Sequence, residues 1–212
     1  MLLRTLSAFL LALSGSFASM ADDFDSILTI LTKEEYKHCI AYPEHSRSLN
    51  DCAEYIYGIN NSLNDIWWDS SFDKNTLMFF DYLWENSEGV AMLENPLIKL
   101  NLAFLLGQTS WSGMQCKHCE SLRSYTVSYI LNDDIEIVAS SLIALGVVGR
   151  PDDVVLLRPI ILREMGGVAE KAVRTATKLL NDEKLVNEFL AELYPEIGRD
   201  SLRRYIERYM KD

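Results

Sequence analysis

The sequence predicts an all-α protein. Almost every segment after residue 22 places its apolar residues three or four positions apart, which is the spacing of one helix face. No stretch alternates apolar and polar residues for long enough to indicate a β-strand. Helix-end signals are also present, with Pro96 before and Gly107 at the end of "PLIKLNLAFLLG". We therefore expect a multi-helix bundle followed by stacked helical hairpins.

Residues 1–21 have the features of a cleaved signal peptide. Arg4 precedes a short apolar run, and small residues allow cleavage after Ala18 or after Ala21. The run is too short to span a bilayer, and no later run is long enough to anchor the mature chain. We expect an exported, soluble protein without a membrane span, located in a bacterial periplasm.

Negative charge is concentrated in the first half of the chain. The formal net charge is −11 at pH 7, and removal of residues 1–21, which include Arg4, leaves −12. Residues 22–95 carry −11 of this charge, whereas residues 96–212 carry −1. Such acidity repels nucleic acid and anionic lipid and attracts a basic protein partner. The alternative interpretation is that the acidity only keeps an exported protein in solution.

The helices of the first half follow from apolar spacing. The stretch "CAEYIYGINNSLNDIWW", residues 52–68, predicts a helix with one apolar face, formed by Cys52, Tyr55, Ile56, Ile59, Leu63 and Ile66. Further helices are predicted over residues 75–86 and 95–108. Ser112 with Gln115 fits a capping box, which predicts a helix start near Cys116.

The second half contains an internal repeat. Aligning Val138 with Val173 also aligns Leu145 with Leu180, which gives a period of 35 residues. This period, with small residues inside helices and an "LG…G.P" turn, resembles the short bacterial type of HEAT-like repeat over residues 132–181. The resemblance implies stacked helical pairs and says little about function.

The sequence accordingly predicts two parts after the signal peptide. Residues 22–131 form an acidic helical domain that holds all the cysteines. Residues 132–212 form a HEAT-like helical region, in which "EKLVNEFLAELY" and "SLRRYIERYM" supply two further helices. These last helices would cover the end of the repeat.

The four cysteines predict two disulfide bonds. An even number of cysteines in an oxidising compartment is most simply paired, and Cys39, Cys52, Cys116 and Cys119 allow three pairings. We favour Cys39–Cys52 with Cys116–Cys119, because the members of each pair are close in sequence. The two pairings that connect the first cysteines to the later ones remain open.

The "CKHC" motif has alternative interpretations that the sequence does not favour. Catalytic disulfide exchange uses such a motif after a β-strand, and a c-type haem needs histidine where Glu120 stands. Zinc could use Cys116, Cys119 and Cys39 with one of the three histidines, His38, His45 or His118. However, a second CxxC is absent and oxidised thiols do not bind zinc. We expect no metal and no cofactor.

Sequence motifs of catalysis are absent as well. The chain has no nucleophile elbow, HExxH, P-loop or glycine-rich dinucleotide fingerprint. Its many carboxylates show no spacing that marks an acid–base pair. We expect a protein that is not an enzyme.

The stretch "NDIWWDSSFD", residues 64–73, is the strongest candidate for a binding surface. It mixes aromatic and acidic residues at the end of one predicted helix and the start of the next: Asp65, Trp67, Trp68, Asp69, Phe72 and Asp73. Aromatic side chains supply contact area and carboxylates supply charge for a basic partner. The alternative is that the tryptophans face the core and Asp73 caps the following helix.

The residues around Cys52 resemble a known family. "DCAEYIYGINNSL", with Cys39 upstream, is similar to the Cys-x-x-Tyr-(Ile/Leu)-x-Gly-(Ile/Val) core of the Tai-type (type VI amidase immunity) periplasmic immunity proteins. The resemblance covers about residues 22–107 and depends on Cys39, Cys52, Tyr55, Ile56, Gly58 and Ile59. This chain lacks the cysteine that the group has before the helix at "DKNTL", and it adds the HEAT-like region.

The resemblance implies a helical inhibitor that neutralises a type VI secretion effector, such as a cell-wall hydrolase. Such proteins commonly insert a loop into the cleft of the effector, often as dimers. The expected partner is therefore a basic secreted effector, bound without nucleic acid or membrane. Two alternatives remain, namely a non-catalytic HEAT-like periplasmic scaffold and a thiol oxidoreductase.

Overall fold

The computed structural model describes residues 18–43, 50–70, 73–87, 90–109, 116–163 and 166–210. All regular structure in these ranges is helical, so the predicted all-α class is confirmed. The chain forms two compact units that divide between Leu106 and Gly107. In the described ranges, no helix combines the length and hydropathy that crossing a membrane requires. The predicted signal peptide lies outside the described residues except for residues 18–21.

The first unit contains four helices in its described part: α1 (Ala18–Leu31), α2 (Asn50–Asp69), α3 (Lys74–Glu85) and α4 (Pro96–Gly107), the last of which ends at the first residue of the second unit. Short 3-10 turns cover Glu34–Cys39 and Ala91–Glu94. The α2, α3 and α4 helices agree with the helices predicted from apolar spacing.

The buried face of α2 is formed by Cys52, Ile56, Ile59, Leu63 and Trp67, each at most 1% exposed. These positions recur every three or four residues, as one helix face requires. Two residues of the predicted face, Tyr55 and Ile66, are only half-buried. The buried face of α2 is therefore rotated slightly relative to the predicted face, and it extends to Trp67.

Aromatic rings form the centre of the first unit. Phe24 of α1 stacks on Phe79 of α3 with ring centroids 4.1 Å apart. The Trp67 ring meets the edge of Phe80 at 4.9 Å. Offset or edge-on packing of this kind adds to the free energy of burial. The three helices α1, α2 and α3 thus contribute to one core.

The buried side chain of Asn95 connects the turn at Cys39 to the start of α4. Its Nδ2 group donates to the carbonyl oxygens of Cys39, Ile40 and Tyr42 at 3.1, 3.0 and 2.8 Å. Its Oδ1 atom accepts from the backbone N–H of Leu97 at 2.9 Å. A buried carbonyl oxygen or N–H group without a hydrogen-bond partner is costly. The Asn95 amide supplies partners both to the carbonyl oxygens of the turn and to an N–H group at the start of α4.

Two disulfide bonds are present. The sulfur atoms of Cys39 and Cys52 are 1.97 Å apart, and those of Cys116 and Cys119 are 2.09 Å apart. Cys39 and Cys52 are fully buried, whereas Cys116 and Cys119 are partly exposed. The first bond connects the 3-10 turn after α1 to the first turn of α2, and so fixes how α2 begins.

The second unit contains six helices in its described part: α5 (Cys119–Ser128), α6 (Ile135–Val148), α7 (Arg158–Arg163), α8 (Gly167–Leu180), α9 (Glu183–Leu193) and α10 (Asp200–Ile206). Short 3-10 turns cover Pro151–Leu157 and Tyr194–Glu196. The helix that begins at Cys119 starts three residues after the predicted position. The predicted capping box, Ser112 with Gln115, lies outside the described residues.

The α6 and α8 helices pack side by side and run in the same direction. The Thr175 hydroxyl of α8 donates to the Leu142 carbonyl of α6 at 3.0 Å. One turn further along both helices, the Lys178 side chain lies over Gly146, where a β-carbon would be 3.3 Å from Lys178 Cδ. Ala172 and Ala176 of α8 are buried as well. The contacts agree with stacked helical hairpins.

A buried ion pair connects α5 to the 3-10 turn after α6. The Asp153 carboxylate is 3% exposed, and it accepts from Arg123 Nε and from the Arg150 backbone N–H, both at 2.7 Å. Burial alone would raise the pKa of Asp153, but hydrogen bonds and charge from Arg123 and Arg150 outweigh it and hold the pKa below its usual value.

Replacing Asn95 tests its role in the first unit. Asn95→Asp retains the shape but removes the N–H donors of three buried carbonyls, so we expect a loss of roughly 3 kcal/mol in the free energy of unfolding. Urea unfolding of the oxidised protein, followed by tryptophan fluorescence, measures it. The matched control is Asn86→Asp, because Asn86 donates only to the Tyr82 carbonyl at the partly exposed end of α3. Equal losses in the two variants would contradict the assigned role.

The two disulfides should differ in reducibility and in stabilisation. Cys116–Cys119 is partly exposed and spans three residues, whereas Cys39–Cys52 is buried and spans thirteen. Loop entropy predicts that Cys39→Ala/Cys52→Ala costs about 3 kcal/mol or more, and Cys116→Ala/Cys119→Ala about 2 kcal/mol. Under limiting reductant, mass spectrometry after alkylation should find Cys116 and Cys119 modified first. Earlier modification of Cys39 and Cys52 would refute this order.

Candidate functional site

An open groove runs between α1 and α2. Its first part has a volume of about 340 Å³ and is lined by apolar, hydroxyl and carboxylate side chains: Phe24, Ser26, Ile27, Ser62, Asp65, Ile66, Asp69 and Ser70. Its second part, of about 560 Å³, includes Asp51, Glu54 and Tyr55 and shares Ser62 with the first. We call the two parts together the α1–α2 groove. Its α1 residues follow Ala21, so both predicted cleavage sites leave it complete.

The groove side of α2 is acidic along its whole length. Positions three or four apart along this side are Asp51, Glu54, Gly58, Ser62, Asp65 and Asp69, and all of them line the groove. The stripe runs from the first turn of the helix to its last residue, a distance of about 27 Å. Four carboxylates of α2 therefore line the groove, and α2 itself contains no basic residue. Lys33, after the end of α1, is the basic residue in the lining of the second part.

Two of these carboxylates lie where they destabilise the helix. Asp65 and Asp69 occupy the final turns of α2, and the last turn holds no basic residue. The carboxyl end of a helix carries partial negative charge, so an acidic side chain there costs about 0.3–1 kcal/mol when exposed. Stability of α2 does not explain these aspartates. A positively charged ligand would.

The structure divides the six residues predicted to bind a partner. Asp65 and Asp69 are exposed and line the groove, and Trp68 beside them is 55% exposed. Trp67 is fully buried and belongs to the core. The apolar spacing contains this signal, because Trp67 lies four residues after the buried Leu63.

The remaining two predicted residues are not part of the groove surface. Asp73 caps α3, since its carboxylate accepts from the backbone N–H of Asn75 at 2.7 Å and from the Thr76 hydroxyl at 2.7 Å. This is the capping role that the sequence left as an alternative. Phe72 lies outside the described residues.

Tyr55 holds the two sides of the groove together, a role that apolar spacing did not reveal. Its hydroxyl donates to the Ile30 carbonyl in the last turn of α1, and its ring stacks on Tyr36 at 3.6 Å. Burial, followed by the nearby Tyr36 and Glu35, raises the pKa of Tyr55 to about 12. The hydroxyl therefore stays protonated and continues to donate throughout the physiological pH range.

Three potential metal ligands lie close together near the first disulfide, but their chemistry does not fit a metal site. Ligand atoms of His38, Cys39 and Cys52 lie within 4.8 Å of one another. Zinc binds cysteine as a thiolate, and the sulfurs of Cys39 and Cys52 are bonded to each other. The cluster is therefore a disulfide with a neighbouring exposed histidine.

Comparison with known proteins adds no relative. No family model, no curated protein and no solved structure matches the chain. The candidate site therefore follows from the residues of this chain alone. It is the α1–α2 groove, an open surface lined by four carboxylates of α2.

Gly58 offers a direct test of the open groove surface. A β-carbon at Gly58 would have no heavy atom within 4 Å, although the glycine lies inside a 20-residue helix. Gly58→Ala should therefore raise the free energy of unfolding by about 0.5–1 kcal/mol. The control is Gly149→Ala, where the β-carbon would lie 2.5 Å from the Leu145 carbonyl oxygen, and thermal unfolding should show destabilisation. Destabilisation by Gly58→Ala would mean that this side of α2 is packed.

Proposed function

We propose that the chain is a periplasmic immunity-type protein, which binds a basic secreted effector such as a cell-wall hydrolase and neutralises it without catalysis. The observation that carries the proposal is the pair of exposed carboxylates at the end of the α1–α2 groove, Asp65 and Asp69, with Trp68 exposed on the surface of α2 one turn after Asp65. The resemblance around Cys39 and Cys52 to the Tai-type immunity group supports the same function.

The chemistry of this groove end suits an arginine or lysine side chain. The half-buried Ile66 offers apolar contact to the aliphatic stem, and Asp65 and Asp69 offer acceptors to its cationic end. Trp68, which is 55% exposed, adds aromatic contact area one turn after Asp65. A partner that projects several basic side chains would occupy both parts of the groove.

Long-range charge favours the same partner. The region that contains the groove, residues 22–95, carries a net charge of −11. Clustered charge of one sign raises the association rate of an oppositely charged protein and weakens as salt is added. Fast capture suits an inhibitor, because the effector must be bound before it reaches its substrate.

The proposal is tested with the mature protein and the effectors encoded beside its gene, each purified and mixed singly. Calorimetry should detect a complex, and light scattering gives its stoichiometry, including whether the protein acts as a dimer. Asp65→Lys/Asp69→Lys should weaken binding by about 100-fold or more and restore the hydrolase activity of the effector, because it replaces attraction by repulsion. Trp68→Ala should weaken binding by about tenfold.

The control for each single substitution, Asp65→Lys or Asp69→Lys, is Asp133→Lys, which makes the same change at an exposed residue of the second unit. The paired substitution at Asp65 and Asp69 should not unfold the protein, since lysine is favoured at the end of α2. Binding that is unaffected by the groove substitutions would exclude the groove. Absence of binding to every neighbouring effector would exclude the immunity function.

A further inference from the structure

A basic stripe lies on the second unit, independent of the proposed function. Lys171, Arg174 and Lys178 recur three and four residues apart on α8, which places them on one side of that helix over about 10 Å. Arg174 and Lys178 are exposed, and Lys171 is half-buried. The opposite side of α8 is buried, so the stripe is the outward face of the helix.

No described carboxylate forms an ion pair with the stripe, although the half-buried Glu170 lies one turn before Arg174 on α8. Arg123 and Arg158 of the same unit form ion pairs with carboxylates, but no described carboxylate lies within 4.0 Å of Lys171, Arg174 or Lys178. Burial, followed by repulsion from Arg174, lowers the pKa of the Lys171 amine. The charge acting on this partly desolvated lysine is therefore positive, which an anionic ligand would relieve.

Residues near the end of the chain continue this surface. The Arg208 guanidinium lies 5.8 Å from the centre of the Tyr205 ring, and the hydroxyls of Tyr205 and Tyr209 are 3.2 Å apart. The charges of Arg174, on α8, and of Arg208, in the turn after α10, both act on the Tyr209 hydroxyl. Arg208 and the two tyrosine hydroxyls therefore lie near Arg174, the middle residue of the stripe.

An apolar residue accompanies the stripe on the neighbouring helix. Ile143 of α6 is 42% exposed, and it lies one turn before Gly146, where Lys178 of α8 contacts α6. At Gly146, the absence of a side chain lets Lys178 lie against the α6 backbone. The face therefore combines three cations in a row with one apolar contact point beside them.

We propose that this face, formed by Lys171, Arg174, Lys178, Arg208 and Ile143, binds an acidic helical segment of a second protein. Carboxylates three and four residues apart on a helix match the spacing of the stripe, and an apolar side chain between them reaches Ile143. The overall charge of −11 repels extended polyanions such as nucleic acid and anionic membranes. A short acidic segment faces less of this repulsion and fits a stripe of about 10 Å.

The test measures binding of a fluorescein-labelled synthetic helical peptide to the full mature protein by fluorescence anisotropy. The peptide carries glutamates three and four residues apart and one leucine between them. We expect saturable binding that weakens with salt and falls about tenfold in Arg174→Glu/Lys178→Glu, because two surface ion pairs become repulsive. Ile143→Ser should weaken binding without changing the dependence on salt.

Lys184→Glu is the matched control for the single variant Arg174→Glu, because each replaces one exposed basic side chain by glutamate. Circular dichroism checks that all variants remain folded. The proposal is overturned if Lys184→Glu weakens binding as much as Arg174→Glu, or if the peptide does not bind. It is also overturned if phosphatidylglycerol vesicles or inorganic phosphate bind the face and the peptide does not. Sedimentation of the protein alone that shows self-association lost in Arg174→Glu would assign the face to a second copy instead.

Discussion

The first unit depends on two links at the junction between α1 and α2, one covalent bond and one buried amide. The Cys39–Cys52 bond covalently connects the turn after α1 to the first turn of α2. The side chain of Asn95 satisfies three carbonyl oxygens of the same turn and an N–H group at the start of α4. Since Tyr55 also hydrogen-bonds α1, the two helices are held at one end while a groove remains open along their length.

This arrangement separates stability from binding on a single helix. One side of α2 is fully buried from Cys52 to Trp67, and it contributes to the core. The other side carries carboxylates, a glycine and a serine, of which only Asp51, in the first turn, suits the helix dipole. Asp65 and Asp69 oppose the helix dipole, and Gly58 lowers helix propensity where a larger side chain would fit. Residues that cost stability without a packing reason are most simply explained by a ligand.

Sequence reasoning recovered the features that repeat with the helix period. It predicted α2 and α3 to within two residues at each end. The predicted face already contained Leu63, and the same spacing extends it to Trp67, which was named as a binding candidate instead. The cap at Asp73 was an alternative that the sequence alone could not separate from a binding role. A capping aspartate and a binding aspartate have the same neighbours in sequence, and only the direction of the side chain distinguishes them.

The long-range contacts could not be predicted in this way. Asn95 bonds to residues more than 50 positions away, and Tyr55 to a carbonyl 25 positions away. No local pattern reveals such partners, because an asparagine before Pro96 or a tyrosine on an apolar face has many ordinary roles. The groove also depends on two helices at once, whereas apolar spacing describes one helix at a time. The acidic residues of α2 can be counted in the sequence. That they line one groove follows only from the position of α1 beside α2.

The central claim is that a basic partner binds at the end of the α1–α2 groove, and the two adjacent tryptophans allow it to be tested within one spectrum. Two-dimensional NMR of the mature protein with isotope-labelled tryptophan indoles reports each ring separately during titration with the cognate effector. The account predicts that the exposed Trp68 signal shifts or broadens while the buried Trp67 signal stays in place. A complex that forms while the Trp68 signal is unchanged would contradict it.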